Sequence, residues 1–297
     1  MSISTTRCDP LSMKRFGVIG HPARHSLSPL LHGEAYRHLR LDCSYEAFDV
    51  LPEKLTAAVQ EFRKNGFAGL NVTLPHKEAV MRLVDFMTDE ARSVGAVNTM
   101  MFTEDGIGGE NTDVHGFAAS VEHVRQAIDG HLVLLLGAGG SSRAVFYALL
   151  SRFRPSEVIV ANRSLSRARE LVEHFRGAAG TTQRGACSLD PREFDAAMRR
   201  ANLIVNCTSA GLFPAVDECP VHSGTVFRPD QIVMDLIYTP LQTKLLHLAA
   251  RSGARTISGL EMFIHQGARS FQIWLGQEMT IETVRPLILN ALQSQQH

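Results

Sequence analysis

Asn71-Val72-Thr73-Leu74-Pro75-His76-Lys77 and, further on, Asn111-Thr112-Asp113 each follow a short apolar run with a polar, turn-forming stretch that ends on an ionisable side chain. A lysine and an aspartate presented in this way can share a proton beside a bound hydroxyl group. Turning a ketone into an alcohol with hydride needs a proton for the new alkoxide, and the reverse reaction needs that proton removed. Lys77 and Asp113 are therefore candidates for an acid/base pair. The residue types leave open which of them is the base. A metal centre is the poorer reading. His21, His25 and His32 cluster in sequence, but Pro22 and Pro29 break any common helical face and no cysteine or carboxylate completes a ligand spacing.

The second chemical signal lies downstream. The strand-sized apolar run Leu132 to Leu136 ends in Gly137-Ala138-Gly139-Gly140-Ser141-Ser142-Arg143 and leads into a helical segment, the context of a dinucleotide fingerprint. Gly137 can make the tight turn, and Gly139 lets the backbone approach a pyrophosphate at the helix N-terminus. Ser142 stands at the third glycine position, small but not glycine. The end of the following strand reads the ribose, and NAD-preferring sites commonly place a carboxylate there. This chain has Asn162-Arg163-Ser164 instead, with Arg167 four residues beyond Arg163. Two arginines so spaced suit a 2′-phosphate, with Asn162 and Ser164 as hydrogen-bond donors, which predicts NADP. A nicotinamide supplies hydride but no suitable proton, so the two signals complement each other.

These groups need a scaffold, and 297 residues suffice for two domains. A hydrophobic share of 44% with 23 glycines is ordinary for a soluble globular protein. Formal net charge is zero and no run of like charges occurs, which argues against nucleic acid as a partner. No apolar stretch has the length of a membrane span, and Met1 to Lys14 lacks the apolar core of a signal peptide. Cys8, Cys43, Cys187, Cys207 and Cys219 form no CxxC pair, which favours reduced thiols and a cytoplasmic protein.

Residues 14–115 read as alternating strands and helices. Phe16 to Gly20 is a strand. Ser28 as N-cap and Pro29 at the first helical position open a helix that Leu31, Ala35 and Leu39 continue. Leu55, Val59 and Phe62 mark a second helix, stopped by Asn65-Gly66. Glu78 to Met87 reads as a third, and Glu104-Asp105-Gly106 as a hairpin turn. From about Val114 longer β-α units take over, with strands at 132–136, 157–161, 203–206, 232–236 and 255–258, the pattern of a parallel sheet covered on both faces. Glu261 to Gln295 reads as mostly helical. Phe263, Trp274, Val284, Leu287 and Ala291 are available for packing, and Pro286 suits the first turn of the last helix.

In the order and spacing of its motifs the chain resembles the shikimate dehydrogenase family over nearly its whole length. The resemblance is carried by Gly20-His21-Pro22-Ala23-Arg24-His25-Ser26-Leu27-Ser28-Pro29, Asn71 to Lys77, Gly95-Ala96-Val97-Asn98-Thr99 and Asn111-Thr112-Asp113. It continues through the glycine-rich turn, Asn162-Arg163-Ser164, Asn206 to Gly211, Asp235 to Pro240 and Gly259 to Gln266. It implies an α/β protein with an N-terminal substrate domain over 14–115, a Rossmann NADP-binding domain over 116–260, and C-terminal helices over 261–297 that return to the first domain.

The reaction implied is the reversible NADPH-dependent reduction of 3-dehydroshikimate to shikimate, a step toward the aromatic amino acids, with Lys77 and Asp113 as the catalytic pair. Ser26 and Ser28 match the hydroxyl pair for the substrate carboxylate. Asn71, Thr73, Asn98 and Gln266 match positions that bond the ring hydroxyls, and Tyr238 one near the substrate. The cofactor positions implied are Gly137, Ala138, Gly139, Gly140 and Ser141, then Asn162, Arg163, Ser164 and Arg167, and finally Thr208, Leu236, Gly259 and Met262. His21 stands where the family commonly has asparagine, and Glu261 where glycine is frequent. Such departures leave room for a paralogue acting on quinate or a related polyhydroxy cyclohexane acid. A non-catalytic ligand-sensing module is the reading from another class, and the presence of both Lys77 and Asp113 argues against it. A small-molecule partner and a monomer or homodimer complete the expectation.

Overall fold

Two six-stranded sheets, each covered on both faces, account for the alternation of strand and helix segments along the described residues. The computed structural model describes residues 13–294, so Cys8 and most of the Met1 to Lys14 segment lie outside the described residues. The first unit runs β1 (Lys14–Gly20), α1 (Ser28–Leu39), β2 (Cys43–Asp49), α2 (Leu55–Lys64), β3 (Phe67–Val72), β4 (Phe86–Met87), α3 (Asp89–Val94), β5 (Thr99–Thr103) and β6 (Gly106–Glu110). Then α4 (Asp113–Val121) leads to β7 (Leu132–Leu136), α5 (Gly140–Arg152), β8 (Glu157–Ala161), α6 (Leu165–His174), β9 (Gln183–Cys187), α7 (Pro191–Arg200) and β10 (Leu203–Asn206). The chain continues through β11 (Ile232–Asp235), α8 (Lys244–Arg251) and β12 (Arg255–Ile257), and returns through α9 (Leu260–Leu275) and α10 (Ile281–Ser294).

The first sheet is mixed, in the order β2-β1-β3-β5-β6-β4. The second is parallel throughout, in the order β12-β11-β10-β7-β8-β9. β7 shows why its run is apolar without interruption: Leu132, Leu134 and Leu136 join the core on one face, Val133 and Leu135 the core on the other. Strand order reverses between β7 and β10, the place where doubly wound sheets open a crevice at their carboxyl ends. The glycine-rich turn follows β7 and Cys207-Thr208 follows β10, so both sit at that switch point.

Four local readings need correction. Glu78 to Met87 is not an α-helix but a short 3₁₀ turn at Ala79–Leu83 followed by β4. Asp85 explains the change, because its carboxylate accepts from Ile107 N and its own N–H donates to Ile107 O, which draws the segment to the sheet edge beside β6. Ser28 is the first helical residue rather than the N-cap; Leu27 holds the cap position, and Ser26 Oγ accepts from Ser28 N at 3.2 Å. Pro286 lies well inside α10, where it removes the donor to Glu282 O on an exposed face. The buried stripe of α10 is Val284, Ile288 and Leu292, so Leu287 and Ala291 were one position off register.

The C-terminal helices do return to the first sheet. Leu260, Phe263, Ile264 and Phe271 of α9 and Val284, Ile288 and Leu292 of α10 share one core with Phe16, Val18, Leu31 and Tyr36. Trp274 stacks on Phe16 at 4.8 Å and donates to Met100 O at 2.9 Å. His32 lies in the same cluster, face to face with Tyr45 at 4.3 Å, fully buried and with neither ring nitrogen hydrogen-bonded. Burial pushes its pKa down to about 3. Among the described residues no group of three or more His, Cys, Asp or Glu side chains is placed to hold a metal ion, and no helix is long and apolar enough to cross a membrane.

Candidate active site

A cavity of about 250 Å³ lies between the two units, lined by Ser26, Thr73 and Lys77 from one and Ser141, Thr208 and Tyr238 from the other. The lysine-bearing segment is fixed through its backbone as it leaves β3. Thr73 N donates to Ile19 O at 2.9 Å, His76 N to Thr73 O at 2.9 Å, and Val97 N to Lys77 O at 2.8 Å. The buried His76 ring adds a 2.7 Å bond from Nε2 to Val50 O, and since a carbonyl only accepts, Nε2 carries the proton. Pinned on both sides, Lys77 reaches Asp113 Oδ2 at 2.6 Å and Ser141 Oγ at 3.2 Å. The pair is well shielded, with side chains 14% and 6% exposed. Asp113 is the first residue of α4, where a negative charge complements the helix dipole.

Asn98 carries the other half of the carboxylate. Its amide donates to Asp113 Oδ1 at 2.8 Å and Thr112 Oγ1 at 2.9 Å, while its oxygen accepts from Thr112 N at 2.7 Å. Asn71 is equally committed to the protein: Oδ1 accepts from Tyr45 OH at 2.7 Å and Nδ2 faces Ser270 Oγ at 2.9 Å, Thr99 Oγ1 at 3.1 Å and Asn98 O at 3.2 Å. Thr99, Thr112, Tyr45 and Ser270 were not singled out as site residues by sequence. Ser270, fully buried, joins Asn71, Thr99 and Thr112, and it lies one helical turn beyond Gln266 on the same face of α9. That spacing was the signal available for it.

At the start of α1, Ser26 Oγ donates to Ser28 Oγ at 3.1 Å. Tyr238 stacks on Phe263 at 4.3 Å, and burial pushes its phenol up to about 12, so it remains a neutral donor at neutral pH. Gln266 anchors its amide nitrogen to Phe263 O at 2.8 Å. Thus Ser26, Ser28, Asn71, Thr73, Lys77, Asn98, Asp113, Tyr238 and Gln266 all border one cavity, as do Ser141, Thr208, Leu236, Gly259 and Met262.

The remaining expected nucleotide residues lie outside that cavity, on the second sheet. Gly137 has φ +105°, a conformation open to glycine, and a Cβ on Gly139 would meet nothing within 4 Å, so the turn is accessible from above. Asn162 Nδ2 donates to Ser164 O at 2.9 Å and Ser164 caps α6, which brings Arg163 and Arg167 to the exposed end of β8. Neither arginine has an ion-pair partner among the described residues. Beside the turn, the buried Asn206 donates to Asp235 Oδ1 at 2.9 Å and accepts from Thr208 Oγ1 at 2.7 Å. Burial pushes Asp235 up to about 6 against the hydrogen bonds from Thr243, Ile237 and Asn206.

Two of the departures from the family pattern have local partners. His21 Nδ1 lies 2.8 Å from Asp49 Oδ1 at the surface. Glu261 accepts both Nε and Nη2 of Arg285 at 2.8 and 2.9 Å, tying α9 to α10. Both have structural work away from the dyad.

Models of known families match three stretches of the chain. Residues 18–100 match the shikimate dehydrogenase substrate binding domain, 120–221 shikimate / quinate 5-dehydrogenase, and 259–289 the shikimate 5′-dehydrogenase C-terminal domain. The shikimate dehydrogenase (NADP(+)) of Methanopyrus kandleri is 41% identical over 93% of this chain and 95% of its own length. A crystal structure of a shikimate dehydrogenase in complex with NADP+ superposes with a TM-score of 0.84 at 35% identity, covering 94% of this chain and 96% of that one. The shikimate 5-dehydrogenase of Thermus thermophilus in complex with NADP(H) and shikimate gives 0.80 at 37% identity, over 94% and 100%. Similarity of this extent, running through both sheets and the returning helices, means that the chain belongs to the shikimate dehydrogenase family.

Proposed function

We propose that the cleft carries out the reversible NADPH-dependent reduction of 3-dehydroshikimate to shikimate. The observation that supports this reading most directly is the shielded 2.6 Å contact between Lys77 and Asp113, in a cavity that the Ser26 and Ser28 hydroxyl pair lines together with Ser141 of the first turn of α5. Asp113 and Ser141 hold two of the three ammonium hydrogens of Lys77, which leaves one for a substrate oxygen. In reduction the dyad delivers a proton to the carbonyl oxygen, and in oxidation it withdraws one from the hydroxyl. Ser26, Ser28 and the neutral Tyr238 receive the carboxylate; Thr73 and Gln266 bond the ring hydroxyls. Asn71 and Asn98, whose amides are already engaged, shape the floor and orient Asp113.

The residues at the second sheet suit NADP. The left-handed Gly137, the open face above Gly139 and the free N–H groups of the first turn of α5 suit a pyrophosphate. Arg163 and Arg167, exposed beside a strand end that lacks a carboxylate, suit a 2′-phosphate. When bound, NADPH supplies the hydride. In this reading residues 14–115 with the C-terminal helices form the substrate domain and 116–260 the nucleotide domain, in a cytoplasmic monomer or homodimer that a calibrated sizing column will distinguish. An initial-rate panel of shikimate and quinate, each with NADP and NAD, tests the assignment. Shikimate with NADP should give the highest kcat/KM. A higher value for quinate moves the enzyme to the paralogue class, and no turnover with any pair overturns the catalytic reading.

A further inference from the structure

We propose that Ser141 is a positioning residue for Lys77, and that through it the nucleotide-binding turn sets the geometry of the proton-transfer pair. This rests on the dyad reading given above. Lys77 comes from the substrate side and Ser141 from the first turn of α5, and their side chains meet across the cleft at 3.2 Å. Contact is not confined to the tip. A Cβ on Gly140 would lie 3.0 Å from Lys77 Cβ and 3.4 Å from its Cδ, so the lysine stem lies along the backbone of this turn. The neighbouring residue repeats the pairing, with Glu78 Oε2 at 3.3 Å from Arg143 Nε. Residues 77 and 78 of one segment thus meet 141 and 143 of one helical turn, which fixes the segment against α5 in direction and depth.

The chemistry gives this contact a use. Lysine has a flexible four-carbon stem, and one hydrogen bond to Asp113 leaves it free to swing about that bond. A second acceptor at Ser141 restricts the swing and defines where the third N–H points. Proton transfer is sensitive to misplacement on the scale of about 1 Å, so this restriction acts on the rate rather than on affinity. Ser141 also belongs to the turn whose unpaired N–H groups suit an anion. A nucleotide seated on Gly139 and Gly140 therefore seats Ser141 as well, and cofactor loading and lysine alignment become one event.

The test compares Ser141→Ala and Ser141→Thr in the wild-type and Lys77→Ala backgrounds, measuring kcat, the KM for shikimate and the Kd for NADP. Ser141→Ala should lower kcat about tenfold while KM and Kd change by less than about threefold, since the lost bond is to a charged group that acts in the chemical step. Ser141→Thr, which keeps the hydroxyl, should restore most of the rate. In the Lys77→Ala background Ser141→Ala should cost nothing further. A normal kcat for Ser141→Ala, a loss confined to the Kd for NADP, or equal losses in both backgrounds would each overturn the proposal. Near-normal turnover of Lys77→Ala would bring down the dyad reading and this proposal together, whereas a crippled Lys77→Ala beside an unaffected Ser141→Ala brings down this one alone.

Discussion

Asn98 Nδ2 donates to Asp113 Oδ1 over 2.8 Å and so assigns the two oxygens of the carboxylate different partners, leaving Oδ2 to Lys77. Asn98 is itself held by Thr112 and Thr99, so the carboxylate plane is set from beneath before any ligand arrives. An aspartate oriented in this way offers the ammonium one defined oxygen.

That arrangement bears on the first prediction. Lys77→Ala should lower kcat by about 10²-fold or more with a much smaller effect on KM, because it removes the proton-transfer group itself. Asp113→Asn, nearly the same shape, should lose rate comparably. The double variant should be little worse than either single one, since groups that act as a unit are not additive. A kcat cycle at saturating cofactor and substrate checks this; fully additive losses would show that the pair positions substrate and the proton travels elsewhere.

A second expectation concerns cofactor choice. Arg163→Ala should weaken NADP binding by about 1.5–3 kcal/mol, the range for a charge-assisted contact, and leave NAD use nearly unchanged. Competition of the two nucleotides for wild type and variant decides it. Equal catalytic efficiency with both in the parent enzyme would remove the phosphate clamp from the account.

The serine pair gives a third. Ser26→Ala and Ser28→Ala should each raise the KM for shikimate by about tenfold, as each removes a donor to an anion. Because Ser28 is not the helix cap, its variant should melt like wild type, while Ser26→Ala also loses the acceptor for Ser28 N. Turnover of shikimate methyl ester as good as that of the acid would mean that the two hydroxyls do not read a carboxylate.

The fourth concerns pH. With its folded pKa at about 3, His32 stays neutral in the native state while the unfolded chain takes up a proton below 6.5, so its effect on stability is lost as pH falls through that window. Asp235 acts in the opposite sense: raised to about 6 from 3.8, it keeps its proton in the fold where the unfolded chain has released it, so stability falls as pH rises between those values. His115 and His265, also lowered by burial, slope with His32. His32→Phe should therefore gain about 2 kcal/mol more relative to wild type at pH 5 than at pH 8. Urea midpoints at the two pH values measure this, and an identical gain at both would refute the linkage.

How much was legible in sequence varies with how local the cause is. β7 could be read because burial on both faces leaves five apolar residues in a row, and the glycine turn follows it directly. The Gln183–Cys187 strand could not, because it has no apolar pattern and stands at the sheet edge, pairing among the described residues with β8 alone. Glu78 to Met87 has helical spacing, but Asp85 and the backbone of Ile107 override it from another part of the chain. The motifs of the candidate site could be placed one by one. What stayed hidden was the web beneath them: Ser270 meets Asn71 across 199 positions, and nothing local to either residue announces the bond.

The shared core of α9, α10 and β1 has a consequence for synthesis. A ribosome delivers β1 well before the helices that cover it, so the first sheet emerges with one apolar face waiting for α9 and α10. One core of the second sheet has no such wait, since it draws only on residues 132–254 and is complete before α9 appears. The single tryptophan, Trp274, sits on the late helix and stacks on Phe16 of the early strand. Its fluorescence is thus a built-in timer, shifting when α9 docks on β1.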